Sequence, residues 1–286
     1  MRNNYYINIL RKIENKKLTV GIIGLGYVGL KLLLQFANKN YKTFGYDNDK
    51  RKIKNLKKNK SPISYISNKN ISKIKKKTFY NNNFNNVNNC DILIICLPTP
   101  LNLKNEPDLS DIKNCIFKLQ KFLRKGQTII LESTTYPGTT KEIIIDKLKD
   151  FNVGKNFFVG YSPERENPGS KNFTFWNTPK IISGHTKHCQ KIVENLYKKI
   201  VKKVIISKNI MDAETAKIFE NVYRSVNIAL VNEMRFILKK MKIDINEVID
   251  LAKTKPFGFS EFRPGPGVGG HCIPIDPLYL SWIAKK

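Results

Sequence analysis

The sequence predicts an α/β fold: a doubly wound parallel sheet followed by a smaller domain built on one long helix. Three observations carry this. A short apolar, β-branched run, Leu18 to Ile23, leads straight into Gly24-Leu25-Gly26-Tyr27-Val28-Gly29 and then into Leu30, Leu33, Leu34 and Ala37 at helical spacing. Further runs of strand length follow at Tyr41 to Tyr46, Asp91 to Leu97, Thr128 to Leu131, Asn156 to Gly160, Thr178 to Gly184 and Lys203 to Ser207, as expected of buried parallel strands. From Ala213 to Lys240 the apolar residues keep a helical period with no proline, far longer than an average helix.

At 286 residues, 41% hydrophobic and 26% charged, the chain has globular composition and room for one large or two ordinary domains. It has no apolar run of membrane-spanning length and opens with no signal peptide, so a cytoplasmic protein without a membrane partner is expected. Five cysteines at irregular spacing, no CxxC pair and three histidines argue against a disulfide framework and against a metal site. A formal charge of +28 raises nucleic-acid binding. The excess is nearly all lysine dispersed among asparagine and isoleucine, as in an AT-biased genome, and arginine is scarce. No nucleic-acid partner is therefore expected, although a basic surface helps attract an anionic substrate.

Residues 1–17 form a polar, basic lead-in whose role cannot be read. In the glycine-rich turn, Gly24 permits the tight bend, Gly26 lets a pyrophosphate approach the backbone and Gly29 lets the helix pack on the strand. The helix N-terminus then faces the phosphate charge. A bare GxGxxG also occurs in ordinary strand-turn-helix units; here a strand precedes it, a helix follows it, and the next strand ends in Asp47. That strand-end acid, expected to be exposed, accepts hydrogen bonds from a ribose and repels a 2′-phosphate, favouring NAD over NADP, with Lys50, Arg51 and Lys52 close by. The fold is therefore Rossmann-like.

Lys54 to Asn86 is nearly low-complexity and reads as surface helix and loop, punctuated only by Ser61-Pro62-Ile63. Asp91 to Leu97 ends in Pro98-Thr99-Pro100, placing Thr99 at a strand's carboxyl end, where cofactor binds in a doubly wound sheet. Asp111 to Leu123 reads as a helix. Thr128 to Leu131 runs into Glu132-Ser133-Thr134-Thr135-Tyr136-Pro137-Gly138, and a later strand end into Ser162-Pro163-Glu164-Arg165-Glu166-Asn167-Pro168-Gly169. Taken alone, Thr99 and Thr134 also suit helix caps or turns, and acids flanking Arg165 suit a solvated loop ion pair. The dinucleotide-binding domain spans 18–208 and a helical domain 209–286. On the long helix Lys217, Asn221 and Arg224 share one face, which on most helices is merely the wet side. Ile245 to Ala252 is a second helix. Gly265-Pro266-Gly267-Val268-Gly269-Gly270-His271-Cys272-Ile273-Pro274-Ile275-Asp276-Pro277 is a tight loop carrying a thiol and an acid; a glycine-lined cysteine beside a carboxylate suits a nucleophile more than a core position.

That loop resembles the catalytic loop of the UDP-glucose/GDP-mannose dehydrogenase family, the nucleotide-sugar 6-dehydrogenases. The Pro-Thr-Pro, Ser-Thr-x-x-Pro-Gly, Ser-Pro-Glu and Ala-Lys-x-x-x-Asn motifs recur in the family's order from Leu18 to Trp282. The residues after Glu164 resemble the branch acting on N-acetylated sugars. The resemblance implies NAD held by Gly24, Gly26, Tyr27, Val28, Gly29, Asp47, Arg51, Thr99 and Thr134. It implies a UDP-sugar held by Arg165, Glu166, Lys217, Asn221, Arg224 and Gly269, and a homodimer through the long helix. It also implies a four-step oxidation of C6. NAD takes a hydride while water assisted by Asp276 and Lys217 takes the proton, and the Cys272 thiolate captures the aldehyde beside Lys217 and Asn221. A second NAD oxidises the adduct to a thioester, and water oriented by Glu164 and Thr134 releases the acid. The family's C-terminal UDP-binding domain has no counterpart before Lys286, so the chain is expected to bind NAD yet turn over UDP-sugars poorly. Two other classes fit the residues: a non-catalytic NAD-binding or dimerisation module, indifferent to the thiol, and a one-step hydroxyacid dehydrogenase yielding one NADH per substrate.

Overall fold

Strand β1 (Thr19–Ile23) lies inside an eight-stranded sheet, and its burial on both faces explains its unbroken apolar character. It pairs in parallel with β2 (Lys42–Tyr46) on one side and β4 (Ile92–Ile95) on the other. Beyond β2 lies β3 (Thr78–Asn81); beyond β4 lie β5 (Thr128–Leu131) and β6 (Phe158–Tyr161), all parallel. β7 (Lys180–Gly184) pairs antiparallel to β6, and β8 (Val204–Ile206) runs parallel to β7. The order β3-β2-β1-β4-β5-β6-β7-β8 reverses direction between β1 and β4, and a ligand crevice is expected outside the carboxyl ends of that pair. The computed structural model describes residues 4–166, 174–270 and 273–286.

Helices α1 (Tyr5–Glu14), α2 (Tyr27–Asn38), α3 (Lys50–Lys57), α4 (Asn68–Ile74), α5 (Ser110–Leu119) and α6 (Lys187–Tyr197) accompany the sheet. The basic lead-in is a working part of this unit. α1 buries Ile9 and Ile13, its Tyr6 ring stacks on His188 at 4.2 Å, and its Lys12 meets Asp91 at 2.6 Å. The lysine- and asparagine-rich stretch read as surface helix and loop holds α3, α4 and the edge strand β3. Composition hid that strand because only one face of it is buried: Thr78 and Tyr80 point inward, Phe79 outward. The Thr43 and Thr78 hydroxyls, paired across β2 and β3, lie 2.9 Å apart.

The chain divides into two compact units, one of residues up to Pro100 with Asp108–Thr215, the other of Leu101–Pro107 with Ala216–Lys286. The division falls within α7 (Ile210–Lys240). The second unit adds α8 (Ile245–Ala252) and α9 (Asp276–Ala284). Its small core joins Leu238 to Ile245 and Ile249, with Met234 against them. The loop before α9 is tied to α7 by Gly265 N–H donating to Asn232 Oδ1 at 3.2 Å and by the Tyr223 and Phe262 rings. Among the described residues no helix is long and apolar enough to cross a membrane.

Candidate functional site

The turn after β1 has the geometry its glycines require. Gly24 has φ +89°, and a Cβ there would meet the Cys96 carbonyl oxygen at 2.5 Å; a Cβ on Gly29 would lie 1.9 Å from the Gly24 carbonyl oxygen. Both positions exclude any other residue. A Cβ on Gly26 would meet nothing within 4 Å, and no side chain caps α2 at this residue. Open space in front of an uncapped helix N-terminus fits a dinucleotide pyrophosphate. Tyr27, Val28 and Gly29 form the first turn of that helix.

Asp47 stands at the end of β2 but is not exposed: its side chain is only 6% accessible. Oδ2 accepts from Leu25 N–H at 2.8 Å and from the Lys52 ammonium at 2.6 Å, while Oδ1 accepts from Asp49 N–H at 3.0 Å. The acid therefore braces the glycine turn. Arg51 is the second residue of α3, its backbone N–H capped by Asp49 at 2.8 Å. At the ends of β4 and β5, the Thr99 hydroxyl donates to the Thr134 carbonyl at 2.8 Å and the Ser133 hydroxyl to the Leu97 carbonyl at 2.8 Å. The two threonines picked out from separate motifs are thus direct neighbours.

Glu164, just past β6, has both carboxylate oxygens engaged. Oε1 accepts from the N–H groups of Arg165 at 2.9 Å and Glu166 at 2.7 Å; Oε2 accepts from Lys180 at 3.2 Å. Burial alone pushes this carboxyl up, but the Lys180 charge and the two backbone donors outweigh it and hold the group below the usual range. Arg165 donates through its guanidinium to the Pro179 carbonyl at 2.8 Å, and Glu166 pairs with Lys31 of α2 at 2.7 Å. The loop ion pair is therefore made with a helix, not within the motif. Asn167, Pro168 and Gly169 lie outside the described residues.

In the second unit, Asn221 of α7 is 3% exposed, so at this residue the polar face is buried rather than wet. Its Nδ2 donates to Asp276 Oδ2 at 2.5 Å. Asp276 is buried at the start of α9, and burial lifts its carboxyl above the ordinary range although the Asn221 bond and the Lys217 charge oppose this. Lys217 is half-buried, while Arg224 and Gly269 are exposed. Cys272, with His271, lies outside the described residues.

Four residues not singled out from the sequence matter here. Lys180 opens β7 and is 3% exposed; it bridges Glu164 to Glu132 Oε2 at 3.1 Å. The Tyr197 hydroxyl of α6 donates to the other Glu132 oxygen. Glu214, on α7 within the first unit, accepts from Gly138 N–H at 2.6 Å, Thr140 N–H at 2.9 Å and the Thr140 hydroxyl at 2.6 Å. A charged residue at the head of an apolar strand run was the available signal for Lys180.

Fold and glycine turn define a class, the dinucleotide-binding α/β proteins. Within it the chain belongs to the UDP-glucose/GDP-mannose dehydrogenase family: residues 18–201 match that family's NAD binding domain and residues 211–286 its central domain. NAD is accordingly the cofactor of the first unit. Protein CapL of Staphylococcus aureus is 39% identical over 272 residues, covering 93% of this chain and 63% of the relative. The UDP-N-acetyl-D-glucosamine 6-dehydrogenase of Pseudomonas aeruginosa is 36% identical over 275 residues, with 95% and 64% covered. A solved UDP-D-ManNAc dehydrogenase from Pyrococcus horikoshii is similar with TM-score 0.87 at 32% identity, covering 94% of this chain and 65% of that one. The chain spans a little under two thirds of the length of these relatives.

Proposed function

We propose that this chain carries the cofactor-binding and catalytic residues of a cytoplasmic, NAD-dependent UDP-sugar 6-dehydrogenase that takes C6 of a UDP-N-acetylhexosamine from alcohol to acid. The observation that carries the reading is the buried Asn221–Asp276 pair, which joins the family's signature helix to the segment that follows Cys272. NAD supplies a hydride acceptor for the two oxidations. The first unit's part is to hold that cofactor at Gly24, Gly26 and Gly29, with Asp47 toward the ribose and Thr99 and Thr134 at the β4 and β5 ends.

The second unit supplies the polar groups. A carboxyl held above its ordinary value by burial, like that of Asp276, accepts a proton more readily than an exposed one. It suits the group that takes the C6 hydroxyl proton through water, beside the Lys217 ammonium. Asn221 spends one amide hydrogen on Asp276 and keeps the other for a developing oxyanion. Cys272 attacks the C6 carbonyl carbon, and the covalent adduct retains the aldehyde until the second oxidation. Glu164 and Thr134 are assigned the water that cleaves the resulting thioester. Arg165, Glu166, Arg224 and Gly269 are assigned to the sugar nucleotide.

The domain boundaries we assign are 18–208 for cofactor binding and 209–286 for the central, dimerising part. Phe219, Tyr223, Val226, Leu230 and Ile237 are all exposed on α7. Their spacing puts them on one stripe, opposite Lys217, Asn221 and Arg224. A continuous apolar stripe of this kind suits a helix-to-helix contact with a second copy. The reading is tested by mass spectrometry of the product, with NADH counted, across a panel of UDP-hexoses. The C6 acid and a preference for N-acetylated sugars are expected; oxidation elsewhere on the sugar, or one NADH per sugar, would overturn it.

A further inference from the structure

Among the described residues, β7 pairs antiparallel to β6, whose other partner, β5, is parallel to it. Its consequence is positional. Gly160 pairs with Gly184 and Tyr161 with Ser183; continuing that register past the end of β6 brings Glu164 opposite Lys180. The first residue of β7 therefore stands at the carboxyl end of the parallel strands, where the crevice lies. A parallel strand in that place would have turned its last residue there instead.

Lys180 uses its whole donor capacity at this point. Its ammonium lies 3.1 Å from Glu132 Oε2, 3.2 Å from Glu164 Oε2 and 3.0 Å from the Pro163 carbonyl oxygen, three acceptors for three protons. The rings of Phe175 and Tyr197 cover it at 5.4 Å each. Glu132 is in turn fixed by the Tyr197 hydroxyl. Among the described residues, a further titratable group facing the cluster is Cys96 beyond β4, whose thiol burial pushes well up; the Arg165 guanidinium donates to Pro179 and Glu166 pairs with Lys31. On Glu164, Oε1 has both lone-pair directions filled by backbone N–H groups, whereas Oε2 has one left beside the ammonium.

We propose that Lys180 is a positioning residue for Glu164: it holds the carboxylate charged and in one orientation, so that one Oε2 lone pair faces outward to align a water molecule. The catalytic meaning of this rests on the place given to Glu164 in the hydrolytic step above. With Lys180 present, Glu164 orients water and stabilises positive charge on it. Without Lys180, two buried carboxylates, Glu132 and Glu164, face each other uncompensated and one takes up a proton.

The test is a pH titration of the chain labelled with carboxyl-13C glutamate, read by NMR without cofactor or sugar, with the Glu164 resonance assigned by its loss in Glu164→Gln. In Lys180→Met the Glu164 midpoint is expected to rise by about one pH unit or more, a tenfold gain in proton affinity. Lys180→Arg is expected to restore it. Should Lys180→Met alone fail to fold, Lys180→Met with Glu132→Gln removes the second buried charge, and the Glu164 midpoint is still expected to rise above that of Glu132→Gln. An unmoved Glu164 midpoint in the folded variant, or a shift that Lys180→Arg fails to reverse, would overturn the proposal. Because the readout needs no turnover, its failure leaves the proposed reaction standing, and failure of that reaction leaves the titration unchanged.

Discussion

Asp47 Oδ2 accepts the Leu25 N–H at 2.8 Å, tying the end of β2 to the glycine turn after β1. The acid proposed to bind the ribose also shapes the loop proposed to meet the pyrophosphate. Asp47→Ala removes the acceptor for the Leu25 and Asp49 N–H groups. A loss of about 1–3 kcal/mol of folding stability is expected, the cost of leaving a part-buried donor unsatisfied, together with weaker NAD binding. Urea denaturation and NAD titration by calorimetry check the two effects separately; unchanged stability would contradict the bracing role, and unchanged affinity the ribose role.

Glu214 offers two carboxylate oxygens to three donors on the Gly138–Thr140 turn. In Glu214→Gln one oxygen becomes an NH2 facing backbone N–H. The variant is expected to unfold at lower urea, by about 1–3 kcal/mol, and an unshifted midpoint would show that the turn is held by other contacts.

Asp276 titrates above the ordinary carboxyl range because it is buried. Between its unfolded and folded values the native state binds the extra proton, so this group's contribution to stability falls as pH rises through that window. Asp276→Asn, which keeps an acceptor for the Asn221 amide, removes that slope. The stability of the variant relative to the unsubstituted chain should therefore increase with rising pH across the window. Urea midpoints measured at a series of pH values check it, and parallel profiles for the two proteins would contradict the raised value.

Val226 and Leu230 lie mid-stripe on α7 and are exposed. If a second copy covers that stripe, Val226→Glu buries a charge without a partner and should convert a dimer to a monomer in sedimentation experiments. NAD binding should be retained. A mass unchanged by the substitution would place the contact elsewhere.

The doubly wound sheet was legible in the sequence because its strands are buried on both faces, so continuous apolar runs such as Ile92–Ile95 and Thr128–Leu131 announce themselves. β3 was not, because an edge strand with one wet face inside a lysine- and asparagine-rich stretch has the composition of a loop. The glycine turn was legible because sterics leave no alternative at Gly24 and Gly29. Lys180, Glu132 and Tyr197 stayed hidden because strand direction, not local sequence, brings them together; nothing in residues 178–184 says that β7 runs antiparallel to β6. Asp47 was expected to be exposed, and its burial follows from the return of the Leu25 N–H and from Lys52, in the first turn of α3.

The most direct test of covalent two-step oxidation is the number of NADH molecules formed per UDP-N-acetylhexosamine consumed, measured for the chain and for Cys272→Ser. The ratio is independent of how fast the chain turns over. Two NADH per sugar are expected with Cys272, and no more than one with serine, since a serine hydroxyl is a far weaker nucleophile at neutral pH. One NADH per sugar with Cys272 in place, or two with Cys272→Ser, would contradict the mechanism.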